Sequence, residues 1–439
     1  MTSAEAWRGR VQGLAHLVLW VLVATSLYGG YLVLPGLQGH SLFSILAKIL
    51  VFPTPFAALF FMWRFRPRAM AAVAVFTAWL LWVGTAYLMH PYHTYFVQYY
   101  VWSQVTGWLI VLALWLLARH PVWIRLTWQV ALPLFWVATL GVALWEAHTG
   151  HHIGPSAVPG RHIPNAFYFN PNDLGAALAL LIPYMWFWYE VVPGQMGKMG
   201  AVVLTAVSLY VLVETGSRGG ELALMLDLVA LPAVLPARAR LWAVGALIVS
   251  VAGGIGLVAW ARSQGPIAHL PRYLSKLARL PNLFTVHIPA HVKPGQAPGS
   301  VAIRWALYRS GLQALLQHPL GLGPRGAERW YTYWLHHASP YNTYGITNAH
   351  NLWLEIAMDF GWPGFILFVG AYILLLRYAL VASRSRDPLV RGLGCAGFPA
   401  LIGFILGALS PSSVMIGFLA MWVVFGLVIA AERLPRPAD

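Results

Sequence analysis

Charged residues and cysteines are both scarce in this chain of 439 residues. Only 9% of the sequence is Asp, Glu, Lys or Arg and 59% is hydrophobic, whereas roughly a quarter of a soluble domain is charged. The single cysteine, Cys395, excludes an intrachain disulfide and a cysteine-rich metal site. A Walker A lysine motif, an HExxH pair and a CxxC pair are also absent from the sequence. The composition therefore indicates a lipid solvent, and we expect no cofactor.

Apolar runs recur along the whole chain. Each is about 20 residues long, which is the length that crosses a hydrocarbon core of about 30 Å. They predict about twelve spans, near residues 12–34, 42–63, 69–89, 97–118, 122–146, 174–193, 199–214, 219–236, 240–260, 351–376, 394–410 and 413–431. We therefore expect an all-α polytopic membrane protein with a long periplasmic loop. Both termini lie on one side because the number of spans is even.

Basic residues are concentrated in alternate short loops. They are Arg64, Arg66, Arg68, Arg119, Arg125, Lys198, Arg238, Arg240, Arg377, Arg384, Arg386 and Arg391. Short loops rich in Arg and Lys stay in the cytoplasm, so the pattern predicts cytoplasmic termini and outward-facing alternate loops. Topology and anionic membrane lipids also explain the formal net charge of +15 better than nucleic acid does.

The spans and loops divide the chain into four parts. Residues 1–150 hold the N-terminal spans, 151–260 the central spans with outward turns, 261–350 a long outward loop, and 351–439 the C-terminal spans. The long loop contains nine basic residues and one acid. Loops of this length escape the charge rule that orients short ones. The basic excess therefore predicts an anionic ligand at the outward face.

One part of the long loop is predicted to be helical. Residues 301–317 have apolar positions at helical spacing, but too many polar residues to span a membrane. We expect a helix lying along the membrane surface. Its inward-facing residues would be Val301, Leu307, Leu312 and Leu315.

The segment AHNLWLE, residues 349–355, places a histidine at the start of a predicted span. Asn348 is the expected N-cap, which would put His350 in the first helical turn at the outer membrane surface. The positive end of the helix dipole disfavours protonation there, and a neutral imidazole is what a general base requires. The alternative is an interfacial histidine that only hydrogen-bonds the loop.

The segment ETGSRGGE, residues 214–221, forms a short outward turn between two predicted spans. Ser217 and the glycines would offer backbone N–H groups at the start of a helix, and Arg218 adds a fork of donors. This combination suits phosphate oxygens. The alternative is a tight hairpin in which Arg218 pairs with Glu214 or Glu221.

Other residues near these segments are weaker candidates for substrate binding. They are Arg304, Tyr308, Arg309, Asn351, Arg161 and Asn172. Arg304 lies one turn before Tyr308 on the predicted surface helix and could bind a second phosphate, although such arginines more commonly snorkel to lipid headgroups. Asn172 belongs to an Asn-Pro-Asn-Asp turn, which alternatively serves only to cap the next helix.

Two further patterns carry no prediction of a site. The histidines at positions 151, 152, 336 and 337 lack the spacing of a zinc site, so we expect no metal. The run GLGPRG, residues 321–326, resembles a dinucleotide-binding fingerprint but has no preceding strand in a βαβ unit. We therefore reject a dinucleotide site.

Taken together, four motifs resemble the O-antigen ligase and polymerase superfamily of bacterial membrane glycosyltransferases. They are RHIPNAFYFNPND, GSRGG, RWALYRSGLQALLQHPLGLG in the long loop, and AHNLWLEIAMDFGWPG entering the following span. Each motif is short, and their order strengthens the match. The resemblance covers roughly residues 160–410, while the N-terminal spans are similar only in hydropathy.

The resemblance implies an activity at the periplasmic side of the inner membrane. That activity is transfer of a glycan from undecaprenyl diphosphate to an acceptor, inverting and metal-independent. In the ligase branch, which we favour, the acceptor is a sugar hydroxyl of lipid A-core in lipopolysaccharide biosynthesis. By position, His350 corresponds to the family's essential histidine, Arg218 and Arg304 to its functional arginines, and Arg161 to a further matching arginine.

Other activities remain open at the level of the sequence. An O-antigen polymerase and a protein O-oligosaccharyltransferase would use the same donor with a different acceptor. The motifs alone do not distinguish these two activities well from that of a ligase. A transporter of lipid-linked glycans is the alternative from another class, since about twelve spans would be ordinary for it. Transporters keep essential charges near the bilayer midplane, where Asp227 and Asp359 are expected.

Overall fold

A computed structural model describes residues 3–27, 70–154, 156–241, 300–337, 343, 345–411 and 418–434, with a few positions between 244 and 263. The secondary structure of these residues is helical, and no strand occurs among them. The prediction of an all-α membrane protein is confirmed. The predicted span near 42–63, most of the span near 240–260 and the loop from 264 to 299 lie outside the described residues.

Most of the described helices overlap a predicted span, although α1 begins nine residues before the predicted start at residue 12 and α8 and α9 lie in the predicted long loop. They are α1 (Ser3–Ser26), α2 (Met70–Met89), α3 (Tyr95–Leu117), α4 (Pro121–Thr149), α5 (Pro171–Trp186), α6 (Gly194–Thr215), α7 (Arg218–Ala230), α8 (Ser300–Gln317), α9 (Gly326–His336), α10 (Leu352–Ala382), α11 (Pro388–Gly407) and α12 (Leu419–Arg433). Six helices in the described part of the chain are long and apolar enough to cross a membrane, namely α2, α3, α4, α6, α10 and α11. The total of about twelve spans stays a prediction.

Helix α5 lies at the centre of the bundle and is buried along almost its whole length. It packs against α6, α7, α11 and α12. Small residues allow the close approach: a Cβ on Gly175 of α5 would lie only 2.4 Å from the Cβ of Ser217. The start of α5 is therefore fixed against the start of α7.

A kink in α10 anchors part of the long loop. Gly361 interrupts the helix with φ +64° and ψ −169°, a conformation that is essentially restricted to glycine. The turn formed by residues 319–323 docks here: Trp362 N–H donates to the Pro319 carbonyl at 2.9 Å, and Leu322 N–H donates to the Met358 carbonyl at 2.8 Å. The GLG sequence is therefore a docking element between the loop and α10.

The predicted surface helix is present as α8, but one part of its inward face was predicted wrongly. Leu307 and Leu315 are buried as expected, whereas Leu312 is 52% exposed. Leu312 lies five positions after Leu307, which places it well away from that residue around the helix. Gly311 occupies the contact instead, where a Cβ would lie 2.8 Å from Leu354 of α10. The side chain of Val301 lies outside the described residues.

Candidate functional site

The candidate site is formed where the starts of α5, α7 and α10 meet the end of α11. Gly219 of α7 lies directly against Ser410, since a Cβ on this glycine would be 2.4 Å from the Ser410 Cβ. The Leu352 N–H of α10 donates to the Ala408 carbonyl at 2.9 Å. The turn after α11 therefore holds the beginnings of α7 and α10 together.

His350 lies beside this turn, immediately before α10. Its backbone φ is +48°, a left-handed conformation that is uncommon outside glycine. The ring hydrogen-bonds to the backbone carbonyls of Ser410 and Pro411, while Nδ1 is buried and has no hydrogen-bond partner among the described residues. Because a carbonyl accepts only from a donor and Nδ1 has no partner, we assign the proton of the neutral ring to Nε2. The lone pair of Nδ1 is then available to accept a proton.

The surroundings of His350 favour its neutral form. Burial lowers the pKa of the imidazole below its ordinary value, and the positive charge of Arg304 lowers it further. The hydrogen bonds to Ser410 and Pro411 act in the opposite direction, with smaller effect. The net lowering keeps the ring uncharged at neutral pH.

The expected N-cap at Asn348 was wrong. The side-chain oxygen of Asn351 caps α10, since it accepts from the N–H groups of Trp353 at 3.0 Å and Leu354 at 3.2 Å. His350 therefore precedes the helix instead of lying in its first turn, because a residue with positive φ cannot continue a right-handed helix. Its lowered pKa comes from burial and from Arg304.

Arg304 and Arg218 come from distant parts of the sequence, and the charge of Arg218 acts on Arg304. Arg304 is half-buried on α8, and Arg218 is the exposed first residue of α7. Burial lowers the pKa of the Arg304 guanidinium, the Tyr308 hydroxyl raises it, and the charge of Arg218 lowers it again. The lowering effect of Arg218 shows that these two like charges repel each other, so an anion bound near both of them would be stabilised.

Tyr308 and Asn351 connect the surface helix to the histidine segment. A side-chain hydrogen bond links them. Because Asn351 also caps α10 and follows His350 directly, this bond couples the position of α8 to that of the imidazole. Arg309, the next residue on α8, is exposed, and no contact joins it to the other candidates in the described part of the chain.

Ser217 and Asn172 lie at helix starts. Ser217 is fully buried and caps α7, with its hydroxyl accepting from the Gly220 N–H at 3.3 Å. Asn172 is the second residue of α5, and its own N–H donates to the Asn170 side chain at 2.9 Å. The Ser217 hydroxyl therefore positions Arg218 by starting the helix that carries it.

Arg161 lies in the loop between α4 and α5, which is organised by Glu146 at the end of α4. The Glu146 carboxylate is fully buried and accepts from the N–H groups of Asn165 at 2.8 Å and Ala166 at 2.6 Å. A ring nitrogen of His152 lies 3.5 Å from the same carboxylate. Arg161 itself is exposed, and within the described residues no contact brings it to His350.

Sequence reasoning missed Glu146 and Ser410. Glu146 could have been found, because an acid near the end of an apolar run is costly unless it has a defined role. Ser410 follows the end of a predicted span and has no comparable signal. Its hydroxyl is buried with no hydrogen-bond partner among the described residues, and its position beside both Gly219 and His350 emerges only from the fold.

The two buried aspartates considered for transport have defined surroundings. Asp359 of α10 accepts from the backbone N–H groups of Arg325 at 3.0 Å and Ala327 at 2.7 Å, at the start of α9. Asp227 of α7 is fully buried and lies against the backbone of Gly403 in α11. Asp359 thus has a structural role in holding the long loop.

The chain is similar in sequence to a known protein family and to a protein of known biosynthetic assignment. A family model described as O-antigen ligase matches residues 201–369. The chain is 26% identical over 384 residues to the teichuronic acid biosynthesis protein TuaE of Bacillus subtilis (strain 168), and that alignment covers 81% of this chain and 69% of TuaE. The matched family segment includes Arg218, Arg304 and His350.

These matches confirm the resemblance to the O-antigen ligase and polymerase superfamily. Together with the apolar helices, they indicate a multi-pass membrane protein that resembles a family of transferases acting on glycan polymers. Lipid-linked glycans and a polysaccharide acceptor are the substrates that the family implies.

Proposed function

We propose that this chain is an O-antigen ligase, which moves a glycan from undecaprenyl diphosphate to a sugar hydroxyl of lipid A-core. It would lie in the bacterial inner membrane with cytoplasmic termini and with the His350 site facing the periplasm. One observation carries the proposal: a buried imidazole with a free Nδ1 lies beside the cation Arg304, which in turn interacts with Arg218. A base next to two cations suits attack by a hydroxyl on a diphosphate-linked sugar.

The transfer forms one C–O bond and breaks another. The acceptor oxygen attacks the anomeric carbon on the face opposite the diphosphate, which inverts that carbon. The bond from the anomeric carbon to the diphosphate oxygen breaks, and its electron pair leaves with undecaprenyl diphosphate. Nδ1 of His350 takes the proton of the attacking hydroxyl. The buried nitrogen is reached when the acceptor sugar displaces the groups that cover it, since catalytic contacts often form fully only in the substrate complex.

Arg218 and Arg304 would hold the diphosphate. Guanidinium groups bind phosphate oxygens through paired N–H donors, and their fixed charge stabilises the negative charge that develops on the leaving group. These two cations supply the charge neutralisation that a divalent metal provides in other transferases. The proposed reaction therefore needs neither a metal nor a nucleotide.

The remaining candidates would support these three. Tyr308 and Asn351 tie the surface helix to the histidine segment, and Ser217 begins the helix that carries Arg218. Arg161, Asn172 and Arg309 are proposed to contact the glycan or the lipid headgroup, as exposed or half-buried polar groups on the same outward face.

An O-antigen polymerase is the second candidate. The similarity to a protein named for teichuronic acid biosynthesis favours it, because that name refers to the making of another polymer. The donor chemistry would be the same, and the acceptor would be a second carrier-linked repeat unit in place of lipid A-core.

The acceptor decides between these candidates. Purified full-length protein would be incubated with a glycan on undecaprenyl diphosphate, with either lipid A-core or a second carrier-linked glycan, in the presence of a chelator and without nucleotide. We expect a gel shift of lipid A-core that mass analysis assigns to the added glycan. Products lengthened only on the carrier would support the polymerase, and absence of transfer to both acceptors would contradict the glycosyltransferase proposal.

A further inference from the structure

A cavity of about 540 Å³ lies at the other end of the bundle from His350. It is bounded by the segments that follow α5, α7 and α10 and by the start of α11. The candidate site is formed by the opposite ends of these same four helices, namely the starts of α5, α7 and α10 and the end of α11. The cavity is therefore separate from the site of the proposed transfer.

The cavity is lined by an excess of positive charge. Arg240, Arg384 and Arg391 contribute three guanidinium groups, and Glu190 is the one acid in the lining. Arg391 pairs with Glu190 at 2.8 Å, which leaves the charges of Arg240 and Arg384 without an acid in the lining. An anion entering here would meet two cations that no carboxylate of the lining neutralises.

The two remaining arginines have donors to spare. Arg240 uses one N–H to donate to the Leu235 carbonyl at 3.3 Å, and a guanidinium has five such donors. Arg384 is exposed at the end of α10, and no ion pair or hydrogen bond engages its guanidinium within the described residues. The hydroxyl of Ser385, which also lines the cavity, is another polar group in reach of a ligand.

Part of the cavity lining is apolar. Phe187, Val234, Leu235 and Pro236 line it next to the arginines. A free inorganic anion would make no use of this apolar surface, whereas the headgroup of a lipid would contact the arginines and its first methylene groups would contact the apolar residues. Basic pockets between transmembrane helices are known to bind the phosphate groups of anionic lipids.

We propose that this cavity binds the phosphate of an anionic membrane lipid, held by Arg240 and Arg384 with its glycerol and acyl carbons against Phe187 and Leu235. The cavity is a site for a bound lipid that takes no part in the chemistry at His350. The proposal does not depend on the identity of the glycan acceptor.

Full-length protein in detergent would be titrated with phosphatidylglycerol or phosphatidylcholine and the bound lipid counted by native mass spectrometry. We expect selective retention of phosphatidylglycerol. Binding should weaken about tenfold or more in the Arg240→Gln/Arg384→Gln double variant, because both cations that would make charge-assisted hydrogen bonds to the phosphate are removed.

The matched control is Arg238→Gln/Arg386→Gln. It removes the same two charges from positions two residues away along the chain, and these arginines are exposed and do not line the cavity. Equal loss in both double variants would mean general attraction to anionic lipid and would overturn the proposed site. Competition by millimolar inorganic phosphate would assign the cavity to a small anion, which also contradicts the lipid proposal. Elution of each variant at the wild-type volume on size exclusion checks that it is folded.

Discussion

At the residue scale, the charge of Arg304 acts on the imidazole of His350. The charge of Arg304 adds to the effect of burial in lowering the pKa of the imidazole, and the same charge is available to a diphosphate. A neutral base thus lies within the electrostatic influence of a cation. If bound diphosphate neutralises the cation, its lowering effect on the imidazole weakens, so the basicity of His350 rises as the donor binds.

The pH dependence of transfer follows from this pair. The folded protein lowers the pKa of His350 below the ordinary histidine value of about 6.5, so the ring stays neutral at pH values below 6.5. The rate of transfer should therefore fall only on the acid side of about pH 6.5. In Arg304→Gln, the imidazole loses a neighbouring positive charge and its pKa rises. The acid limb of the residual kcat/KM profile should therefore move to higher pH. If the acid limb lay at the same pH in both proteins, Arg304 would not influence the pKa of His350, and this prediction would be contradicted.

Glu146 provides a second prediction for a single residue. Glu146→Gln keeps one oxygen acceptor and replaces the other, so the backbone N–H groups of Asn165 and Ala166 lose a charged partner. We expect a loss of about 1–3 kcal/mol in the free energy of unfolding. Hydrogen exchange should rise in residues 153–166. The control Glu328→Gln changes a half-exposed acid in the long loop and should leave hydrogen exchange in residues 153–166 unchanged. Faster exchange in this segment in the control as well would indicate a global loss of stability instead of a local role for Glu146.

At the element scale, the contact between α7 and the turn after α11 determines where Arg218 lies. In Gly219→Ala the new Cβ would lie 2.4 Å from the Cβ of Ser410. Relieving such a contact costs about 1–3 kcal/mol and moves the start of α7. We expect a higher KM for the donor and a lower Tm.

Two variants make the Gly219 prediction specific. Gly219→Ala/Ser410→Gly removes the opposing Cβ and should recover much of the lost affinity. Gly370→Ala, at a helical glycine of α10 with open space around it, should behave like the wild type. Failure of the double variant to recover would show that the contact with Ser410 is not the cause.

The kink of α10 could be predicted only in part. The sequence FGWPG indicates an interruption, because it combines two glycines with a proline. The partner of the kink, the turn at 319–323, lies about 40 residues away in the sequence, and no local pattern pairs them. The absence of a dinucleotide site at the GLG run stays a prediction, and the docking role of this run was found only from the fold.

Helix positions were easier to predict than helix faces. The described spans follow the apolar runs because a bilayer requires length and apolarity from each helix. The inward face of α8 was partly wrong, since Gly311 offers a close contact that hydrophobicity does not register. The N-cap was wrong because Asn348 and Asn351 are chemically alike, and only the backbone of His350 distinguishes them.

At the scale of the whole molecule, the proposed site and the proposed lipid cavity lie at opposite ends of the same helices. The basic short loops predict which end is cytoplasmic. In a Cys395→Ser background, His318→Cys should react with an impermeant maleimide added from the periplasmic side. Arg386→Cys should react only after the membrane is opened. Both positions are exposed, so the reverse pattern would invert the proposed orientation.

No pattern within the sequence places Arg218, Arg304 and His350 in one site. Only the resemblance to a known family predicted that they act together. These residues lie 86 and 46 positions apart in chain order, and their proximity depends on the packing of α7, α8 and the segment before α10. The electrostatic influence of Arg218 on Arg304, and of Arg304 on His350, connects them.

The most direct test of the central claim is single-turnover transfer by purified His350→Gln protein, with donor affinity measured on the same preparation. We expect transfer to fall by at least about a hundredfold, the contribution of a general base, while the Kd for the undecaprenyl-diphosphate donor stays near that of the wild type. The exposed His318→Gln variant serves as the control. Wild-type transfer by His350→Gln would contradict the assignment of this imidazole as the base.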